Sequence, residues 1–253
     1  MTEAFGPITA SAAYELVAEH IRRAIQLSRF VPGDKLPPER ELARQLNVSR
    51  ATLREAIRML SAEGLVEIRR GATGGVIVCA QELDNERLRE LALKREDEIQ
   101  NILSYRMANE TAAARLAAMR RSEEDLKELY ALLQRLNALT ATREDLFNQD
   151  NVTRFMAADS SFHIALARAS DNPYFVKAVE EIRAALFLPL GKVFVRLEAT
   201  ANDHHEAIYT AIERQDPEAA AAAMTAHIEL SSQEMRRILY ELSGKTAKRR
   251  KAG

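Results

Sequence analysis

The sequence predicts a mainly helical protein in two parts, an N-terminal winged helix-turn-helix with a small β wing and an all-helical bundle behind it. Three observations carry that expectation. Residues 36–78, LPPERELARQLNVSRATLREAIRMLSAEGLVEIRRGATGGVIV, hold two short helical apolar patterns, a break between them, and two short alternating runs around a glycine-rich tip. Beyond residue 85 apolar positions recur at helical spacing and no convincing alternating strand follows. The 253 residues suffice for two cores, and a composition of 47% apolar and 29% charged residues argues against wholesale disorder.

In chain order, residues 1–9 read as unstructured. From Ser11 to Ser28 the positions Tyr14, Val17, Ile21, Ala24, Ile25 and Leu27 form a helical stripe. Phe30 to Asp34, with Pro32-Gly33, reads as a turn. The second helix follows Pro37-Pro38, because proline suits a first turn whose N–H groups lack partners inside the helix. Leu42, Ala43 and Leu46 are its inner positions, and Asn47-Val48 breaks it. Ser49 is placed to cap the third helix by accepting from its free N–H groups, and Gly64 to end it. There Leu53, Ile57 and Leu60 face inward, while Arg50, Arg54 and Arg58, four apart, share another face. Residues 65–70 alternate as a strand, 71–75 form a flexible tip, and 76–78 return.

By itself an arginine row is a solvated helix face. Here it lies on the capped second helix of a helix-turn-helix, beside a basic wing. The N-terminal end of such a helix meets base edges in a DNA major groove. The runs PxERELA and VSRATLREAxxxLxxEGLVxxRxGxxGG closely resemble the winged helix of GntR-type bacterial transcription regulators over about the first third of the chain. The resemblance implies a sequence-specific DNA-binding regulator with contacts at Arg40, Arg50, Thr52 and Arg54, and at Arg70 and Gly71 in the wing. Ala51 stands where members often carry threonine, which removes one polar contact.

Net charge is −1, yet its distribution is uneven. Residues 1–80 carry 11 Lys/Arg against 9 Asp/Glu, residues 81–244 carry 20 against 28, and the last nine residues add five positive charges. Clustering lets a modest excess attract phosphates, since counterion release is local. A single cysteine, Cys79, excludes an internal disulfide framework and a cysteine-based zinc site, and suits a reducing cytosol. No apolar run is long enough for a membrane span and no secretion signal is visible, so the expected location is cytoplasmic.

In the second part the expected helices are 86–95, 98–119, 123–138, 152–169, 174–188, 192–214 and 217–241. Ser122, the polar run 140–151, Asp171-Asn172-Pro173, Pro189 to Gly191 and Asp216-Pro217 mark the breaks, although Pro189 can equally kink one longer helix. Asn172-Pro173 and Asp216-Pro217 each look like an N-cap followed by proline at the first helical position. The Ala-rich stretch 219–226 reads as a closely packed helix, and the basic tail 243–253 as disordered. The domains expected are thus 10–79, a short linker 80–85, 86–242 and that tail.

Asp159 and His163, four apart in AADSSFHIALARA, point the same way from one helix. Alone, such a pair can be a buried hydrogen bond. The last two helices share a very short turn and should run antiparallel. His205 lies about ten residues before that turn and His227 about eleven after, which at about 1.5 Å per residue sets them nearly level. His204 falls about 100° further round its helix. Three imidazoles and a carboxylate suit a divalent transition metal such as Zn²⁺, Ni²⁺ or Mn²⁺, with coordination positions to spare.

The motifs DxxFH, HxAI and MxxHI resemble the FCD ligand-sensing domain of the fatty-acid-regulator branch of GntR proteins, across about residues 86–242. The resemblance implies that Asp159, His163, His205 and His227 are metal ligands. YRMANETAAARLAA is similar to that domain's first long helix, where Arg106 offers a fork to a carboxylate-containing effector. An ion pair of Arg106 with Glu110, four residues on, is the plainer alternative.

The expected protein is a cytoplasmic homodimer on double-stranded operator DNA, because one recognition helix spans few base pairs and two-fold proteins read paired half-sites. Its affinity for DNA would be modulated by a small organic acid at the metal site. Two alternatives stand beside it. One is a metal-dependent hydrolase with an accessory DNA-binding domain, although HExxH and a nucleophile motif are absent. The other is a dimeric DNA-binding protein whose second domain is purely structural.

Overall fold

A computed structural model describes residues 12–71, 74–79, 90, 94, 96–142, 144–190 and 202–242. The chain separates into two compact units near residue 82, with Gln26–Ser28 grouping with the second.

In the first unit, α1 (Ala13–Gln26) buries Val17, Ala18, Ile21 and Ile25, the stripe read from sequence. Pro38 precedes α2 (Glu39–Gln45) as its N-cap instead of entering its first turn, and its carbonyl accepts from the N–H groups of Glu41 and Leu42. Asn47 takes a left-handed φ of 51°, which turns the chain into α3 (Arg50–Ala62). Ser49 caps α3 as expected, its Oγ accepting from Thr52 N at 3.0 Å. Gly64, at φ 72°, then turns the chain out of the helix, a conformation in which a Cβ is strained.

The wing is an antiparallel pair, β1 (Val66–Arg69) and β2 (Gly75–Val78), in the register Val66↔Val78, Glu67↔Ile77, Ile68↔Val76 and Arg69↔Gly75. Lys35 bridges to Ile77 and adds a short third rung. Leu53, Ala56, Ile57 and Leu60 of α3 pack with the inner face of α1 and with Leu65, Val66, Val76 and Val78 of the wing. One face of α3 is therefore fixed to a core and the opposite face, with Arg50, Arg54 and Arg58, lies in solvent.

The second unit holds α4 (Glu96–Arg120), α5 (Glu123–Ala138), a 3-10 turn (Asp145–Phe147), α6 (Gln149–Ala169), α7 (Pro173–Leu190), α8 (Asp203–Glu213) and α9 (Pro217–Leu242). Caps set most of the boundaries. Ser122 and Asp125 form a reciprocal capping box at α5. Asn172 accepts from Tyr174 N, and Asp216 from Ala219 N, so both Asx-Pro sites behave as the sequence predicts. Asn148 accepts from Asp150 N and Asn151 N, so α6 begins within the polar run that spacing alone reads as a break.

Helix α7 runs through Pro189 to Leu190, two residues past the expected end, and residues 191–201, where the expected break or a longer helix would lie, are outside the described residues. The expected helices 86–95 and the first part of 192–214, the linker 80–85 and the tail 243–253 lie mostly or wholly outside the described residues. The Ala-rich stretch is indeed a packed helix: Ala220, Ala221 and Met224 of α9 are buried, as are Ala113, Ala114 and Ala117 of α4. Small side chains on both helices allow close approach of their backbones. The remaining core comes from Leu129, Leu133 and Leu136, from Phe155, Phe162 and Leu166, and from Ile208 and Ile212. No described helix is long and apolar enough to cross a membrane.

Candidate metal centre and nucleic-acid interface

Asp159 and His163 project from α6, His205 from α8 and His227 from α9. The four side chains are buried, and one ligand atom from each lies within 4.8 Å of the others. The three imidazole rings sit 4.6 to 5.6 Å apart between centroids. Asp159 Oδ1 faces two of them, 2.9 Å from His205 Nε2 and 3.6 Å from His163 Nε2. Phe162 stands edge-on to both His163 and His205 and closes the apolar side of the cluster. His204 is only half-buried, and its ring centroid is 6.3 Å from that of His227.

Around these four lies a charged shell that sequence reading did not assemble. Arg183 of α7 donates from Nη1 to Asp159 Oδ2 at 2.8 Å and from Nη2 to Glu110 Oε2 at 3.2 Å. Glu110 of α4 also faces His163 Nδ1 at 2.6 Å. Arg106 spends its whole fork inside: Nε to Glu110 Oε1, Nη1 to Ser231 Oγ, and Nη2 against His227 Nε2 at 3.1 Å. The i,i+4 ion pair weighed for Arg106 therefore exists. Its available sequence signal was RxxxE. For Arg183 the only signal was an arginine four residues after the buried Val179, inside an apolar stripe.

Electrostatics prepare the cluster for a cation. Burial pushes Glu110 and Asp159 upward, but the facing Arg106 and Arg183 for Glu110, and Arg183 and His163 for Asp159, hold both carboxyls well below the usual range. Burial lowers His205 against the pull of Asp159, and lowers His227 further with help from His163 and His205. Two carboxylates and two guanidiniums cancel, leaving imidazole lone pairs. His163 Nε2 and His205 Nδ1 are buried without a hydrogen bond, which is costly unless something else binds them. Three imidazole nitrogens and one carboxylate oxygen are the donor set of a divalent transition metal, so the residues fit one.

On the first unit, Arg40, Arg50, Arg54, Arg70 and Gly71 are exposed, and Thr52 is partly so. The Thr52 hydroxyl lies 2.8 Å from Ser49 Oγ, inside the cap. Arg54 Nε donates to Glu39 Oε2 at 2.9 Å, and Arg50 Nη2 is 3.9 Å from the same oxygen. Glu39 was not singled out from sequence.

Residues 13–76 match the gntR family of bacterial regulatory proteins, and residues 101–230 match the FCD domain. The chain belongs to the GntR family. Its FCD domain places it among the members that carry a ligand-binding domain behind the DNA-binding one, and it is a transcription regulator of that kind. It is 31% identical to the HTH-type transcriptional regulator LutR of Bacillus subtilis (strain 168), over 81% of this chain and 92% of that one. It is 30% identical to the Exu regulon transcriptional regulator of Escherichia coli (strain K12), over 85% and 81%. Among solved structures, E. coli McbR/YncC superposes over 90% of this chain and 99% of its own with a TM-score of 0.52, a likeness of fold at 17% identity. These GntR relatives carry regulator names, and the metal-dependent hydrolase alternative is set aside on that ground.

Proposed function

We propose that this GntR regulator reads a paired operator as a homodimer and senses a small carboxylate at a divalent metal held by Asp159, His163, His205 and His227. The observation that carries the sensing half is the cluster itself: four buried ligand atoms within 4.8 Å, with imidazole nitrogens left unbonded. The metal would supply a Lewis-acidic point for a carboxylate oxygen. The protein's part is to keep the ligands neutral or anionic as required and to exclude water with Phe162 and the surrounding apolar side chains.

Arg106 is the proposed effector contact, and its geometry supports a conditional role. The His227 Nε2 lone pair can serve the Arg106 N–H or a metal, not both. Loading that nitrogen with metal releases one arm of the fork. On the reading side, Arg50 and Arg54 would face base edges, Arg40 and Thr52 the backbone beside them, and Arg70 with Gly71 the flank reached by the wing. The domain limits 10–79 and 86–242, with a linker 80–85, belong to this same reading.

The test is elemental analysis of the native protein, followed by duplex selection from a random-sequence library with metal-loaded and chelator-treated protein. Stoichiometric metal, lost in His163→Ala and His227→Ala, and a paired-half-site motif are the expected results. Native protein that takes up no stoichiometric Zn²⁺, Ni²⁺ or Mn²⁺ overturns the sensing half. A motif with a single half-site overturns the dimeric reading.

A further inference from the structure

The first turn of α2 places a carboxylate among the arginines of α3. Glu39 is the first residue of α2, and Arg50 and Arg54 stand on successive turns of α3. Glu39 Oε2 accepts from Arg54 Nε at 2.9 Å and lies 3.9 Å from Arg50 Nη2. An acid here opposes the phosphate attraction that gives such a surface most of its affinity. On a surface meant to meet a polyanion, a charge of the wrong sign calls for a separate function.

The atom it holds suggests that function. A guanidinium has three edges of N–H groups, and a guanine is read by the two terminal nitrogens together, against O6 and N7. Arg54 is bound through Nε, the nitrogen nearest the backbone. That fixes the plane of the group and leaves the far end of the fork for a base. A free arginine on an exposed helix loses rotamer freedom when it docks, and it can as easily turn toward a phosphate. In water the pair is a half-exposed ion pair worth little. Once DNA covers it, the same contact becomes shielded from solvent and selects one arginine orientation.

We infer that Glu39 is a positioning residue for DNA reading, which holds Arg54, and more loosely Arg50, in a base-facing orientation and gives up non-specific affinity for sequence discrimination. The inference rests on the assignment of Arg54 as a base-reading residue. Glu39 touches no base in this scheme and acts through Arg54.

Full-length protein, as wild type, Arg54→Ala, Glu39→Ala and Glu39→Gln, is used to select from a library of random-sequence duplexes. Preference is scored base pair by base pair, and binding to one random duplex is followed across a salt series. Glu39→Ala should relax preference at the same base pair that Arg54→Ala relaxes, by at most the roughly five- to 150-fold that one bidentate contact discriminates. It should also bind the random duplex more tightly, with a salt slope steeper by about one as the freed arginine takes a phosphate. Glu39→Gln keeps an acceptor for Arg54 Nε and should recover part of the preference.

Loss of stability cannot imitate that result, because a partly unfolded protein loses affinity evenly across base pairs. If Arg54→Ala leaves every preference intact, the base-reading assignment itself fails. If Arg54→Ala relaxes a base pair and Glu39→Ala relaxes none, the positioning role is overturned. Relaxation at a different base pair in Glu39→Ala would make Glu39 a direct reader, of cytosine N4 for instance, and overturns it as well. A uniform gain of affinity with unchanged preferences would reduce Glu39 to an electrostatic brake, which also refutes the inference.

Discussion

Replacing Arg183 by methionine removes one buried cation while keeping most of the volume. Its side chain bonds Asp159 at 2.8 Å and Glu110 at 3.2 Å. Without it Glu110 retains Arg106, but Asp159 loses the guanidinium that contributes most to holding its carboxyl low. Breaking a buried ion pair by removing one partner costs about 3–5 kcal/mol. A ceiling follows from protonation: an aspartate with an ordinary value of 3.8 can be neutralised near pH 7 for about 4 kcal/mol, at about 1.4 kcal/mol per pH unit. Metal-free Arg183→Met should therefore lose about 3–4 kcal/mol near pH 7, and only about 1.6 kcal/mol near pH 5, where protonation is cheaper. Urea titrations followed by far-ultraviolet circular dichroism at the two pH values measure both. Zn²⁺ should restore more stability to the variant than it adds to wild type, because it supplies the missing positive charge beside Asp159. A loss below about 1 kcal/mol, or one that does not shrink with pH, would show that Asp159 does not depend on Arg183.

Three further outcomes follow from the same geometry. His163→Ala or His227→Ala should abolish stoichiometric metal, measured by elemental analysis after desalting, while His204→Ala should retain it; metal retained in the His163/His227 double variant refutes the ligand set. Metal-free protein should lose stability as pH falls below about 6.5, since unfolded His205 and His227 take up protons there and their folded forms, lowered by burial, do not. The slope approaches about 1.4 kcal/mol per pH unit for each histidine, with Glu110 and Asp159, also lowered when folded, adding to the loss only below about 4.5 and 3.8. A flat stability profile between pH 6.5 and 5 contradicts the burial of neutral imidazoles. Arg50→Ala and Arg54→Ala should each cost about 1–3 kcal/mol of specific binding, read by fluorescence anisotropy on a selected duplex; unchanged affinity across a salt titration removes α3 as the reading helix.

The parts that were legible in the sequence are those whose partners lie within a few residues or across one short turn. Ser49, Asn172 and Asp216 cap their helices because each reaches an N–H two or three residues on, a distance that any local conformation must respect. Asp159 and His163 share a helix face, and His205 and His227 are levelled by a hairpin with almost no slack, so spacing gave each pair, while joining the two pairs into one set rested on the FCD resemblance. Arg183 could not, since its partners lie 24 and 73 residues away on two other helices. Nor could Glu39, since its 15-residue separation from Arg54 crosses the turn between α2 and α3, where a change in crossing angle moves side-chain tips apart. In both places an ionised residue bonds another across elements. The proposed metal ligands offer lone pairs that the fold isolates, and the residues that sequence missed are the charges around them. Arg183 contributes most to holding the buried Asp159 carboxyl low, ahead of His163 and His205, so the proposed ligand set depends on a residue that no local pattern announces.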